Sequence, residues 1–267
     1  MIDLRTSLAE ISARCRHCTP RNMAITLVVV VALLLGTSAL VGNLTGLPDM
    51  TAYEQGAERK AAFFDYLKPI VDSQNQAILS DRDKLLGIAN DLESADSPSF
   101  LQKWRLESLA RDYAVEWNEA QIPAVVDELL RRVDAVPIAL VLVQAAKESG
   151  WGTSKFAREG NNLFGQWCYR EGCGIVPEKR KAGATHEVQV FASVDDAIAA
   201  YLHNINTGKA YKDLRSIRAS ARSADREPKA AALADGLILY SERRQAYVDE
   251  VKQMIRQYHD FEAKQTG

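Results

Sequence analysis

The chain has 267 residues, of which 47% are hydrophobic and 25% charged, and a formal net charge of −2. That is enough apolar material for one substantial core, or for a core with a smaller helical unit beside it. Near-neutral charge with dispersed Lys and Arg leaves no electrostatic footprint for nucleic acid, so no nucleic-acid partner is expected.

Residues 1–22 carry Arg5, Arg14, Arg16 and Arg21 and read as a cytoplasmic segment. Residues 23–44 are free of charge and dominated by Val, Leu, Ala and Ile. At 1.5 Å of rise per residue such a run crosses a bilayer, and the arginines before it predict an N-terminus in the cytoplasm with the rest of the chain outside. A cleaved signal peptide ending near Thr37-Ser38-Ala39 is the competing reading. The expectation is a single-pass inner-membrane protein of a bacterium, with its main domain in the periplasm. Cys15 and Cys18 would then be cytoplasmic, where a lone C-x-x-C lacks the second ligand pair of a zinc site. Cys168 and Cys173 would lie in an oxidising compartment and are expected to form a disulfide beside the site.

Residues 45–120 read as a linker and a helical region. Leu67, Val71, Ile78, Leu85, Ile88 and Leu92 recur at about the helical spacing, and Pro69 is expected to break or kink the start. This run is either a short coiled-coil stalk or, in better agreement with its interruptions, a helix packed on the main domain. A second helix is expected from Phe100 to Ala114 and a third from Pro123 to Arg132, with Trp104, Tyr113 and Trp117 read as core. The main domain spans residues 121–260.

Within it, Ile138 to Ala146 has Gln144 as its one polar residue, too apolar all round for a surface helix, and Pro137 and Gly150 bracket it. Glu148 falls in the last turn of this buried helix, where the carbonyl end of the helix and apolar walls both disfavour an ionised carboxylate. A carboxyl group kept protonated is what a general acid needs to protonate a glycosidic oxygen as the bond breaks. Gly150 and Gly152 permit a sharp turn, and Trp151 would pack under the acid or stack on a sugar. Past this turn the alternating run Thr185–Phe191 reads as one arm of a small hairpin, Ser193 as the cap of a helix, and further helices are expected at 229–234 and after Tyr240.

The block from Lys147 to Trp167, with Glu148-Ser149-Gly150-x-Gly152 followed by Asn162-Leu163-Phe164-Gly165, resembles the glucosaminidase domain of glycoside hydrolase family 73. The continuation after Trp167, and KAAFFDYLKPIV upstream, resemble more narrowly the Bax-type membrane proteins that carry this domain. The likeness covers about residues 58–260. It implies a mainly α fold with a small β lobe, lysozyme-like, preceded by helices and one N-terminal transmembrane helix. It also implies an endo-β-N-acetylglucosaminidase acting on the β-1,4 bond after N-acetylglucosamine in peptidoglycan, with Glu148 as acid. The four His are scattered, none at ligand spacing from Asp, Glu or Cys, so no metal is expected, nor any other cofactor. Glu187 is favoured as the second carboxylate over Glu178, which stands at the spacing some family members use. A substrate acetamido group could replace either. Tyr240 matches the first tyrosine of a family stretch that faces the acid, although Arg243 stands where the family has Asp. Gln144, Trp151, Asn161, Asn162, Phe164, Gln166 and Glu178 are expected to meet glycan strands, and an envelope protein partner is conceivable. The rival readings are a lytic transglycosylase or muramidase, or a noncatalytic membrane-anchored scaffold that binds peptidoglycan.

Overall fold

A computed structural model describes residues 46–94, 97–178, 180 and 183–266. The expected membrane span and the first cysteine pair lie outside the described residues. Among those described, no helix is long and apolar enough to cross a membrane.

The order of elements is α1 (Ala57–Ser94), α2 (Phe100–Asp112), α3 (Ile122–Arg132), α4 (Ile138–Ser149), α5 (Lys155–Gly160), β1 (Trp167–Cys168), β2 (Gly174–Ile175), β3 (Glu187–Gln189), α6 (Val194–Thr207), α7 (Lys212–Ser223), α8 (Ala230–Leu233) and α9 (Gln245–Thr266). The helix α4 is the axis of the molecule. Every residue from Ala139 to Ala146 is buried, because α1, α8 and α9 all pack against it.

Two apolar cores result. The larger joins α4 to Phe63, Phe64, Leu67 and Val71 of α1, to Tyr201, Leu202 and Ile205 of α6, and to Tyr247, Val248 and Val251 of α9. The smaller lies between the far end of α1 and the helices α2 and α3, around Leu85, Leu106, Leu109, Val126 and Leu129. Thus α1 belongs to the same core as the site helix, the packed-helix alternative of the two read from its spacing. It also runs on through Pro69, so the break, one of the two expected effects of that proline, does not occur. Pro69 and Asp65 are both exposed, so the carbonyl that loses its helical partner there faces water, while Leu67 and Val71 hold the helix down.

Two helix starts are capped by serine, the one on α6 as the sequence predicts. Ser99 and Gln102 form a reciprocal capping box on α2, and Ser193 Oγ accepts the Asp196 N–H at 3.0 Å on α6. Trp104, read as core, is instead 61% exposed on α2, whose inward face is taken by Leu106, Leu109 and Ala110. The β lobe is a three-stranded antiparallel sheet in the order β1-β3-β2, with Trp167 opposite Val188 and Cys168 opposite Glu187. The run read as a hairpin arm is its central strand.

The approach to α4 is fixed by a buried charge cluster. Asp134 accepts two hydrogen bonds from Arg222, at 3.1 and 3.0 Å, while the fully buried Arg218 donates to the carbonyls of Arg131, Asp134 and Ala135. Burial pulls the Arg218 guanidinium down to about 10, and the neighbouring Asp134 opposes that shift. It remains a cation, so breaking the cluster would leave a charge stranded in the interior.

Candidate active site

Glu148 leaves α4 in its last turn, one residue before the helix ends at Ser149. Gly150 caps it at φ +60°, and its N–H returns to the Ala146 carbonyl. The turn is then locked from inside: Ser149 Oγ donates to the Ala145 carbonyl at 2.6 Å and accepts the Gly152 N–H at 2.8 Å. Gly152 has φ +76°, and a Cβ there would lie 2.8 Å from Met50 Cγ and 2.9 Å from Leu47 Cδ2. Both the backbone conformation and the close approach of the segment before α1 therefore require glycine. Trp151, itself at φ +60°, meets Phe63 and Phe64 edge-on at 5.9 and 5.3 Å, and the Lys60 ammonium sits 5.1 Å above its ring.

The carboxyl of Glu148 is half-buried, and its Oε1 is enclosed without a hydrogen-bond partner. Burial pushes its pKa above the ordinary value. A hydrogen bond with the Tyr247 hydroxyl and the charge of Lys147 pull the other way without prevailing. The group is thus biased toward its protonated form. Lys147 is held away from neutralising it, because its ammonium pairs with Glu250, which also takes both ends of the Arg243 guanidinium.

Three tyrosines surround this carboxyl. Gln144, fully buried one turn earlier on α4, donates to Tyr247 Oη at 2.9 Å and accepts from the Tyr201 hydroxyl. Tyr240 stacks on Tyr247 with centroids 5.1 Å apart and donates to the Phe164 carbonyl at 3.1 Å. The Phe164 ring in turn stacks on Tyr201 at 3.9 Å. Burial pushes the Tyr201, Tyr240 and Tyr247 phenols well above their ordinary range, so all three are neutral donors and acceptors.

Residues 124–260 match the sequence model of a family described as glucosaminidase, mannosyl-glycoprotein endo-beta-N-acetylglucosaminidase. The chain belongs to the glucosaminidase family. It is also 40% identical over 205 residues to the protein bax of Escherichia coli K12, an alignment that covers 76% of this chain and 71% of that protein. No solved structure matches.

In this glucosaminidase domain the Asn-Leu-Phe-Gly segment serves as a fastening. Asn162 donates to the Gln166 and Gln189 carbonyls, both at 2.9 Å, and accepts the Gln166 N–H at 3.0 Å, tying the entry to β1 and the end of β3 to the segment that follows α5. Asn161 caps α5 at φ +52° and bonds the Phe191 carbonyl and the Leu47 N–H, while Gln166 donates to the Ala197 carbonyl. The amides of Gln144, Asn161, Asn162 and Gln166, expected to meet sugar, are therefore engaged with protein partners. Trp151 is engaged likewise, packed against α1.

Glu187 is 6% exposed, and its two oxygens accept the N–H groups of Gly172 at 3.1 Å and Gly174 at 2.7 Å. Those bonds hold its carboxyl below the ordinary range, the opposite of the bias at Glu148. It braces the loop closed by the Cys168–Cys173 disulfide, which the structure contains as expected. The two sulfurs and Glu187 lie within 4.8 Å of one another, but bonded sulfurs offer no thiolate and this cluster does not suit a metal. Glu178 is exposed near Lys155 Nζ, at 3.7 Å. Sequence reasoning passed over Tyr201 and Tyr247, seen only as apolar-face residues; the polar Gln144 in a greasy helix was the one sign that buried partners existed.

A cavity of about 570 Å³, lined by Arg131, Lys209, Lys212 and Arg215 among others, includes none of these groups. An open groove for a polymer encloses little volume, so the chemistry of Glu148 is the better locator.

Proposed function

We propose that the chain is an endo-β-N-acetylglucosaminidase of peptidoglycan, cleaving the β-1,4 bond after N-acetylglucosamine, with Glu148 as the general acid. The observation that carries this reading is the Glu148 carboxyl itself: half-buried, raised in pKa, with one oxygen unpartnered, at the end of a rigid helix in a glucosaminidase domain. Its proton passes to the leaving glycosidic oxygen as the bond to C1 breaks. With both Glu187 oxygens taken by backbone N–H groups, the nucleophile that best fits the site is the substrate's own 2-acetamido carbonyl oxygen. It bonds to C1 as the leaving group departs. Water then attacks C1, breaking its bond to the acetamido oxygen and so restoring the acetamido group, and gives up a proton to the Glu148 carboxylate. Tyr240 and Tyr247, whose hydroxyls border the acid, keep its orientation and are placed to stabilise charge at C1. Tethering through residues 23–44 on the outer face of the inner membrane completes the proposal.

Mass analysis of sacculi digested by the purified protein tests it. Reducing-end N-acetylglucosamine from the wild type, and a loss of cleavage of about 10²–10⁴-fold in Glu148→Gln, are expected. Anhydromuramyl ends would point to a transglycosylase, and unchanged cleavage by the variant would remove Glu148 from the chemistry.

A further inference from the structure

The β lobe commits several constraints to one exposed ring. Trp167 is 54% exposed, yet its indole is backed by the His186 imidazole, with ring centroids 3.9 Å apart and planes within 17°. A single exposed aromatic ordinarily calls for no explanation. This one is held from every side but one. Its backbone is paired with Val188 in the central strand, and the next residue is locked by the Cys168–Cys173 bridge. Glu187, beside His186, pins the Cys173 end of that bridged loop through the N–H groups of Gly172 and Gly174, and Arg180 donates to the His186 carbonyl at 3.2 Å. One face of the indole is covered and the other is open.

The place is as informative as the geometry. Trp167 lies three residues after Phe164, whose ring stacks on Tyr201 and whose carbonyl receives the Tyr240 hydroxyl beside the acid. Three residues reach at most about 11 Å, within the length of a disaccharide. A rigid, flat aromatic face at that range suits the axial C–H face of a pyranose, whose weakly positive hydrogens meet the negative face of the ring.

We propose that Trp167, buttressed by His186, is a stacking platform for an N-acetylhexosamine residue of the glycan strand, on the β-lobe side of Glu148. The inference rests on the glycan reading given above and names the element that holds the strand in register. The disulfide and Glu187 then act as positioning groups for this platform.

The test uses the Glu148→Gln protein, which binds without turning over, titrated calorimetrically with the β-1,4-linked N-acetylglucosamine tetramer. Trp167→Ala is expected to weaken binding at least tenfold, His186→Ala to weaken it less, and His186→Phe, which keeps a ring beneath the indole, to restore it. In the cleavage-competent chain Trp167→Ala should raise KM with kcat largely kept. Trp167→Phe, which retains a ring on the strand, serves where the alanine variant fails to fold. Tetramer binding of parental strength in folded Trp167→Ala, or a parent that does not bind the tetramer at all, overturns the platform. A wild type that binds the tetramer through Trp167 but cleaves no sacculus keeps the platform and overturns the hydrolase reading instead.

Discussion

Tyr247→Phe separates the two jobs of one hydroxyl. The phenol is 2% exposed, and its ring stacks on Tyr240, a contact that phenylalanine retains. Only the oxygen is lost. That oxygen accepts the Gln144 amide at 2.9 Å in a fully buried setting, so the substitution leaves a buried N–H without a partner, at a cost of about 1–3 kcal/mol. For a unit of this size that lowers Tm by about 2–12 °C in a calorimetric scan. The same oxygen supports the ionised form of Glu148, so its removal favours the protonated acid further. Activity that requires the proton is lost as pH rises through the acid's pKa, so the alkaline limb of the kcat profile should move to higher pH. Tyr201→Phe is the matched control: it orphans the other end of Gln144 at a similar cost, but makes no hydrogen bond to the acid, so the limb should stay in place. An alkaline limb unmoved in Tyr247→Phe, or moved equally by Tyr201→Phe, would refute the assignment of Tyr247 as the group that sets the acid.

Glu148→Gln should be more stable than the wild type at neutral pH. Burial raises the native pKa, so the stability that comes with the protonated form is complete below about 4.5 and is lost as pH rises through the native value. The difference in Tm between the two proteins should therefore close in acid. Gly152→Ala introduces a methyl group 2.8 Å from Met50 Cγ on a left-handed backbone and should cost about 2–4 kcal/mol, read from urea unfolding. Glu187→Gln replaces one acceptor of two backbone N–H groups by a donor, and should loosen the bridged loop and raise KM; a fall in kcat of about 10²–10⁴-fold would restore it to the chemistry.

How much of this could be read from the residues follows their distance in the chain. The buried helix, its glycine stop and the acid in its last turn are local patterns, and the structure has all three where the spacing puts them. The ring of phenols around the acid is not local: Gln144 meets partners 57 and 103 residues away, and a tyrosine on an apolar face looks the same with or without such a bond. The helix α7 escaped for a different reason. Its inward residues include Arg215 and Arg218, so a face that would normally advertise itself by apolar spacing is written in arginine. The short strands β1 and β2, of two residues each, have no room for alternation to show, and the two backbone N–H groups that Glu187, favoured as the second carboxylate, accepts could not be read from the spacing.

The sequence match to the family starts at residue 124, but the wall behind the acid's turn is built much earlier. Met50 is wholly buried, Leu47 hydrogen-bonds Asn161 through its N–H, and Gly152 is glycine because those two side chains press on it. A fragment trimmed to the family's own borders would thus be an incomplete object, shorn of the slab its hinge leans on. Any piece meant to keep that wall must reach back at least to Leu47, whose N–H grips Asn161, thirteen positions from the acid.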